Sequence, residues 1–147
     1  LSIIKAIDKA MKWKTDRGWD KVYWAIDIHD MILKGNYSKE LELSYYPDCL
    51  GTLRMLSKDK ENVLILYSST WRKQINKVWA ELGKEGILFN YINENPEVKN
   101  TEICEFSKKF YFNILVDDKV GFDPKEDWRK IYEYYKDSDK NIPEEGK

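Results

Sequence analysis

Asp27 closes an apolar run, VYWAID, and His29 and Asp30 stand directly beyond it. A second apolar run, VLILY, is followed by Ser68, Ser69 and Thr70, and a third, ILV, by Asp117 and Asp118, with Asp123 a little further on. Lys99 lies ahead of the third run. A carboxylate inside an apolar run needs a partner, because an unpaired buried charge is costly. If the three runs are neighbouring parallel strands, these side chains gather on one rim as several carboxylates, a hydroxyl cluster and an ammonium. Crowded carboxylates repel one another, so they either retain protons or surround a hard cation. Mg²⁺ takes oxygen ligands and keeps several waters, so two carboxylates and a backbone carbonyl suffice to hold it. Such a rim suits a phosphoryl group. Cation and lysine spread its charge, hydroxyl and loop amides hold its oxygens, and a carboxylate attacks phosphorus in line.

The elements that must position these groups are legible in the pattern of apolar residues. Ile3, Ile4, Ile7, Ala10 and Met11 form one stripe of a helix over residues 1–14, broken at Arg17-Gly18-Trp19. Val22 to Ile28 lacks alternation, as a strand covered on both faces does. Gly35, Asn36 and Ser38 mark a turn, and Leu41, Leu43 and Tyr45 alternate with polar neighbours, so residues 30–46 predict a small hairpin or flap. Tyr37, Tyr45 and Tyr46 lie in or beside it, where they could line a substrate entrance. Pro47-Asp48 then opens a helix with Leu50, Leu53 and Leu56 inward. Val63 to Tyr67 is a second strand. Ser69 or Thr70 caps a helix burying Trp71, Ile75, Val78, Trp79 and Leu82, with Gly83 as its stop. Ile87 to Phe89 is a third strand, and Asn90 to Asn100 a loop. Ile103, Phe106 and Phe110 suggest a short helix after Asn100 or Thr101. Tyr111 to Val116 is the fourth strand. Asp123-Pro124 caps a last helix that buries Trp128, Ile131, Tyr132 and Tyr135, and residues 137–147 form a polar tail.

Strands alternating with helices imply parallel pairing and right-handed crossovers. The expectation is one domain over residues 1–147, with its core at about 20–136. Its fold is an α/β three-layer sandwich with a four-stranded parallel sheet in the order 4-1-2-3. With 42% apolar and 35% charged residues, the 147-residue chain can bury one core and keep a charged surface. The 25 Lys+Arg and 26 Asp+Glu nearly cancel, which removes the basic excess of a dedicated nucleic-acid binder. No apolar run approaches the roughly 20 residues of a membrane span. Lys5, Asp8, Lys9 and Lys12 interrupt any signal-peptide core at the start of the chain. Two cysteines, Cys49 and Cys104, make neither a disulfide framework nor a zinc site. They read as buried small hydrophobes, with a reducing cytoplasm as the expected compartment.

The set of motifs resembles that of the haloacid-dehalogenase (HAD) superfamily. AIDIHD resembles its first motif, an apolar strand followed by Asp-x-Asp. VLILYSS resembles the second, a strand ending in Ser or Thr, and NILVDD, followed by Gly121-Phe122-Asp123, the fourth. Lys99 has the placement of the lysine motif, with Lys108 and Lys109 as alternatives. The resemblance covers roughly residues 20–136 and implies a Mg²⁺-dependent phosphatase acting through an aspartyl-phosphate. Asp27 would be nucleophile and metal ligand, and the His29 carbonyl a second ligand. Ser68 would hold phosphoryl oxygens, and Lys99 would neutralise nucleophile and phosphate. Asp117 or Asp118 would complete the metal site, with Asp118 the more direct contact. His29 occupies the position where active members carry the general acid and base Asp. Imidazole can serve both roles near neutral pH, and a weakly active or inactive relative that binds a phosphorylated ligand or a protein is the alternative. The intervals Asp27–Ser68 and Ser68–Asp117 leave no room for a cap beyond the flap. Uncapped members tend to accept large phosphorylated substrates, so a macromolecular substrate is within the expectation, as is a monomer or weak oligomer. Receiver domains share acids, hydroxyl and lysine, but place their acid pair after the first strand of five.

Overall fold

The computed structural model describes residues 2–35 and 43–141. Four strands, β1 (Val22–Asp27), β2 (Asn62–Tyr67), β3 (Tyr91–Ile92) and β4 (Ile114–Val116), form one all-parallel sheet in the order β3-β2-β1-β4. The helices are α1 (Ser2–Arg17), α2 (Cys49–Lys58), α3 (Arg72–Lys84) and α4 (Asp127–Asn141). Read from the other edge, this is the order expected from the sequence.

Register explains the packing. Trp24 and Ile26 of β1, Leu64 and Leu66 of β2, and Ile114 and Val116 of β4 share one buried cluster with all four helices. Ile7 enters from α1, Leu53 and Leu56 from α2, Ile75, Val78 and Leu82 from α3, and Trp128 and Ile131 from α4. Side chains alternate along a strand, so Tyr23, Ala25 and Asp27 face the other way, beside Val63, Ile65 and Tyr67. The connection from β3 to β4 crosses that second face, because β4 lies on the far side of β1 from β3. Tyr111 of the crossover meets Tyr23 edge-on at 6.0 Å, and Phe110 meets Tyr67 at 5.9 Å. Ala25 and Ile65 beneath are fully buried.

Several local expectations are corrected. The short helix after Asn100 does not form, and Ile103 is 95% exposed. Thr101 Oγ1 accepts from the N–H groups of Ile103 and Cys104, and Asn100 Oδ1 from that of Phe106, so side chains take the donors and the turn goes no further. Cys104 is exposed on this crossover, while Cys49 is buried as expected. Strand three is Tyr91–Ile92 rather than Ile87–Phe89. The side-chain carbonyl of Asn90 accepts the Leu64 N–H where a strand carbonyl would, and regular pairing starts after it. Trp71 precedes α3 in extended backbone and is 86% exposed, and no side chain caps that helix. Gly83 does not end α3. Gly86, at φ 76°, takes the left-handed position, its N–H reaching the Gly83 carbonyl and that of Ile87 reaching Leu82. α2 starts after Pro47-Asp48, at Cys49. α4 begins at Asp127 after a turn headed by Asp123 and continues to Asn141, past the expected start of the tail. Tyr132 falls off its buried stripe and is 40% exposed.

The flap is partly visible. Leu33 and Tyr45 form an antiparallel bridge, and the Lys34 and Tyr46 N–H groups bond the Ser44 and Ile32 carbonyls, which is the base of a hairpin. Its turn, with Asn36, Tyr37, Ser38 and Leu41, lies outside the described residues.

Trp128 ties α4 to the loop after β1. Its indole N–H donates to the Met31 carbonyl at 2.8 Å, its ring packs against Phe122, and Thr52 Oγ1 donates to its carbonyl. Trp128→Ala is expected to lower the unfolding free energy by about 3–5 kcal/mol. Trp128→Phe keeps most of the volume and loses the buried bond, at about 1–2 kcal/mol. Urea titrations of the two variants check the order.

Candidate active site

Asp27 is the last residue of β1, and its register partner on β2 is Tyr67, so Ser68 follows on the same rim. On the other side Ile26 pairs with Val116, which puts Asp117 beside Asp27. Asp27, Asp117 and Asp118 each offer a carboxylate oxygen, and these atoms lie within 4.8 Å of one another. Asp117 is buried, Asp27 half-buried and Asp118 exposed. Asp117 accepts the Lys119 N–H at 3.0 Å, which caps the short 3-10 turn Asp118–Val120 and holds the pair in place. Asp27 accepts the Ile28 N–H at 2.8 Å.

Burial raises the Asp27 carboxyl from its ordinary 3.8 to about 6, the Ile28 N–H opposes this, and the charges of Asp117 and Asp118 add to the rise. Asp117 is likewise pushed up, first by burial and then by Asp118, against the pull of the Lys119 N–H. A dication among these oxygens would reverse both effects, and an all-oxygen donor set suits Mg²⁺.

The loop after β1 turns sharply. Asp30 has φ 63°, its N–H bonds the Leu33 carbonyl, and the Leu33 N–H bonds Ile28. A Cβ on Gly35 would sit 2.3 Å from the Asp30 carboxylate, so a larger residue there would push that carboxylate aside. The His29 carbonyl, between these bonds, accepts no backbone hydrogen bond among the described residues and is left available to a ligand. His29 lies close enough to Asp27 for its charge to act on it.

Ser68 is clamped from an unexpected source. Asn93, at φ 53° just past β3, accepts the Ser68 N–H and donates to the Ser68 carbonyl, both at 2.8 Å. Ser68 Oγ donates to Thr70 Oγ1 and accepts the Thr70 N–H. The sequence carried one signal for Asn93, an asparagine just beyond a strand, where a left-handed residue is tolerated. Tyr46 was grouped with the flap, and its hydroxyl does feel the charges of Asp30, Asp118 and Asp123.

Lys99 is not brought to this rim. It is exposed, bonds to no described residue, and stands between Val98 and Thr101, which line a cavity with Asp20 and Lys21 ahead of β1. The alternative Lys109 stands beside Phe110, whose ring packs against Tyr67, and its ammonium lies over the Phe112 ring. Asp123 accepts the Lys125 N–H, the turn chemistry expected of it.

No family model matches this chain, and no curated protein matches it. A solved structure of a conserved protein coded by a locus from Bacteroides thetaiotaomicron is similar over 80% of this chain and 92% of that one, with 26% identity and a TM-score of 0.62. No helix among the described residues is long and apolar enough to cross a membrane.

Because the folded chain holds a proton on Asp27 that the unfolded chain releases, rising pH costs it stability between 3.8 and about 6, and the raised Asp117 acts in the same direction. Without metal, Asp27→Asn is therefore expected to raise the melting temperature at pH 7.5 by about 2–5 °C. Mg²⁺ is expected to stabilise the wild type and leave the variant nearly unmoved. Thermal melts with and without Mg²⁺ at pH 5 and 7.5 check both.

Proposed function

We propose that this chain is a Mg²⁺-dependent phosphomonoester hydrolase of haloacid-dehalogenase type, with Asp27 as nucleophile. The observation that carries the reading is the meeting of Asp27, Asp117 and Asp118, from strands far apart in the chain, with Ser68 on the same rim. Mg²⁺ would be held by these three carboxylates and the His29 carbonyl. When bound, it supplies the positive charge that keeps the cluster ionised and offsets the phosphoryl oxygens.

An Asp27 oxygen attacks phosphorus, the bond to the leaving oxygen breaks, and that oxygen takes a proton from the His29 imidazolium. The aspartyl-phosphate is then opened by a water that gives its proton to His29, which releases phosphate and restores Asp27. Ser68, with its backbone fixed by Asn93, holds a phosphoryl oxygen once its hydroxyl turns from Thr70. Lys99, Lys108 and Lys109 are the candidates for the ammonium role, with the residues flanking Lys99 lying beside the other end of β1. The substrate is a phosphorylated compound of open class, macromolecules included, since only a hairpin base follows β1 among the described residues.

A second reading, a phospho-ligand binder of little or no activity, is favoured by His29 at the general-acid position and by the remoteness of Lys99. Aryl phosphate hydrolysis with Mg²⁺ separates the two. Turnover is expected to fall at least about 10³-fold in Asp27→Asn. At limiting Mg²⁺ it is expected to drop as pH falls through about 6, where Asp27 gains its proton. Loss of activity in His29→Asp shows that the imidazole works as the acid. A large gain shows a lapsed enzyme, and no Mg²⁺-dependent turnover in either protein rejects the hydrolase.

A further inference from the structure

In-line attack by Asp27 sends the leaving group outward, on the far side of phosphorus from the nucleophile. The side chains that stand out from the rim there decide which alcohols are held. Tyr67 is the register partner of Asp27, one strand spacing of about 4.8 Å away, and both side chains face the crossover side of the sheet. Phe110 braces the Tyr67 ring on one side, with centroids 5.9 Å apart and planes at 66°, and Phe112 packs against Phe110 at the same distance. The Tyr67 ring is nonetheless 41% exposed. Trp71 follows Ser68 by three residues, so its Cα lies at most about 11 Å from that of Ser68. It is almost wholly exposed, and no ring or cation lies against its indole among the described residues.

A phenol and an indole left in water beside the same site are unfavourable until something covers them, and exposed apolar surface of this kind marks binding sites. The polar side chains around them are engaged with one another. Asn93 grips the Ser68 backbone, and the Ser68 and Thr70 hydroxyls bond each other, so of this turn's hydroxyls only that of Ser69 bonds to no described residue. A sugar or polyol finds little to bond on this side, whereas a ring finds aromatic surface. We infer that Tyr67 and Trp71 seat the leaving group, and that the substrate is a phosphate monoester with an aromatic ring close to its ester oxygen. Paired rings gain more than the area they cover. The inference deepens the hydrolase reading and rests on it.

The test is steady-state kinetics of the full chain with Mg²⁺ on 2-phenylethyl phosphate and glycerol 1-phosphate. Both esters release a primary alkoxide and differ in what the alcohol carries. The wild type is expected to show a kcat/KM about tenfold higher for the phenylethyl ester, expressed in KM. Tyr67→Ala and Trp71→Ala are each expected to raise KM for that ester several-fold and to bring the two kcat/KM values together. Tyr67→Phe is expected to keep the preference, because the Tyr67 hydroxyl bonds to no described residue. Trp71→Ala alters an exposed side chain, so it remains a test if Tyr67→Ala does not fold. Turnover of both esters without preference, or a preference that survives both alanine substitutions, overturns the inference and leaves the hydrolase standing. Turnover of neither rejects the two together. Self-association that Trp71→Ala abolishes, with no preference between the esters, assigns the rings to a second copy of the chain and overturns the inference as well.

Discussion

Mutual repulsion among three carboxylates sets the terms for one whole rim of this sheet. Asp27 and Asp117 end up side by side because Ile26 and Val116 are register partners, and that register is fixed by apolar side chains on the helical face. The fold thus forces together groups that would separate if free to do so. Burial first, and their mutual charge after it, raises the carboxyl pKa values of Asp27 and Asp117, and a bound cation would offset both. The same core that stabilises the chain brings the charge cluster together.

The sheet's two faces are built differently. One is covered by four helices through a single apolar cluster, the other by an irregular crossover with aromatic side chains. Asp27 points toward the second face, so its surroundings are set by loops: the turn at Asp30, the 3-10 turn at Asp118 and the Asn93 clamp on Ser68. Loops positioned by a rigid sheet are where chemistry is commonly placed.

Order and direction of the strands were legible because β1 and β2 are unbroken apolar runs and the breaks between elements are sharp. The rim acids and Ser68 were legible for the same reason, since each follows such a run. What sequence reading missed was decided by single polar side chains acting on the backbone. Asn90 stands in for a strand carbonyl and displaces β3, Thr101 and Asn100 hold a turn where a helix was expected, and Asn93 grips Ser68. None of these leaves a periodic trace. Lys99 was placed by its position in the chain alone, and position along a long crossover does not say which end of the sheet a residue reaches.

That crossover has a consequence for how the molecule opens. Asn95 donates to the Tyr111 carbonyl and accepts the Glu97 N–H, so much of the segment hangs on side-chain amides and hydroxyls instead of a ladder. Detaching it breaks few cooperative bonds and leaves the helical core intact. Amide protons there should exchange with solvent well before those of β1 and β2, making the crossover the molecule's first unit of local unfolding.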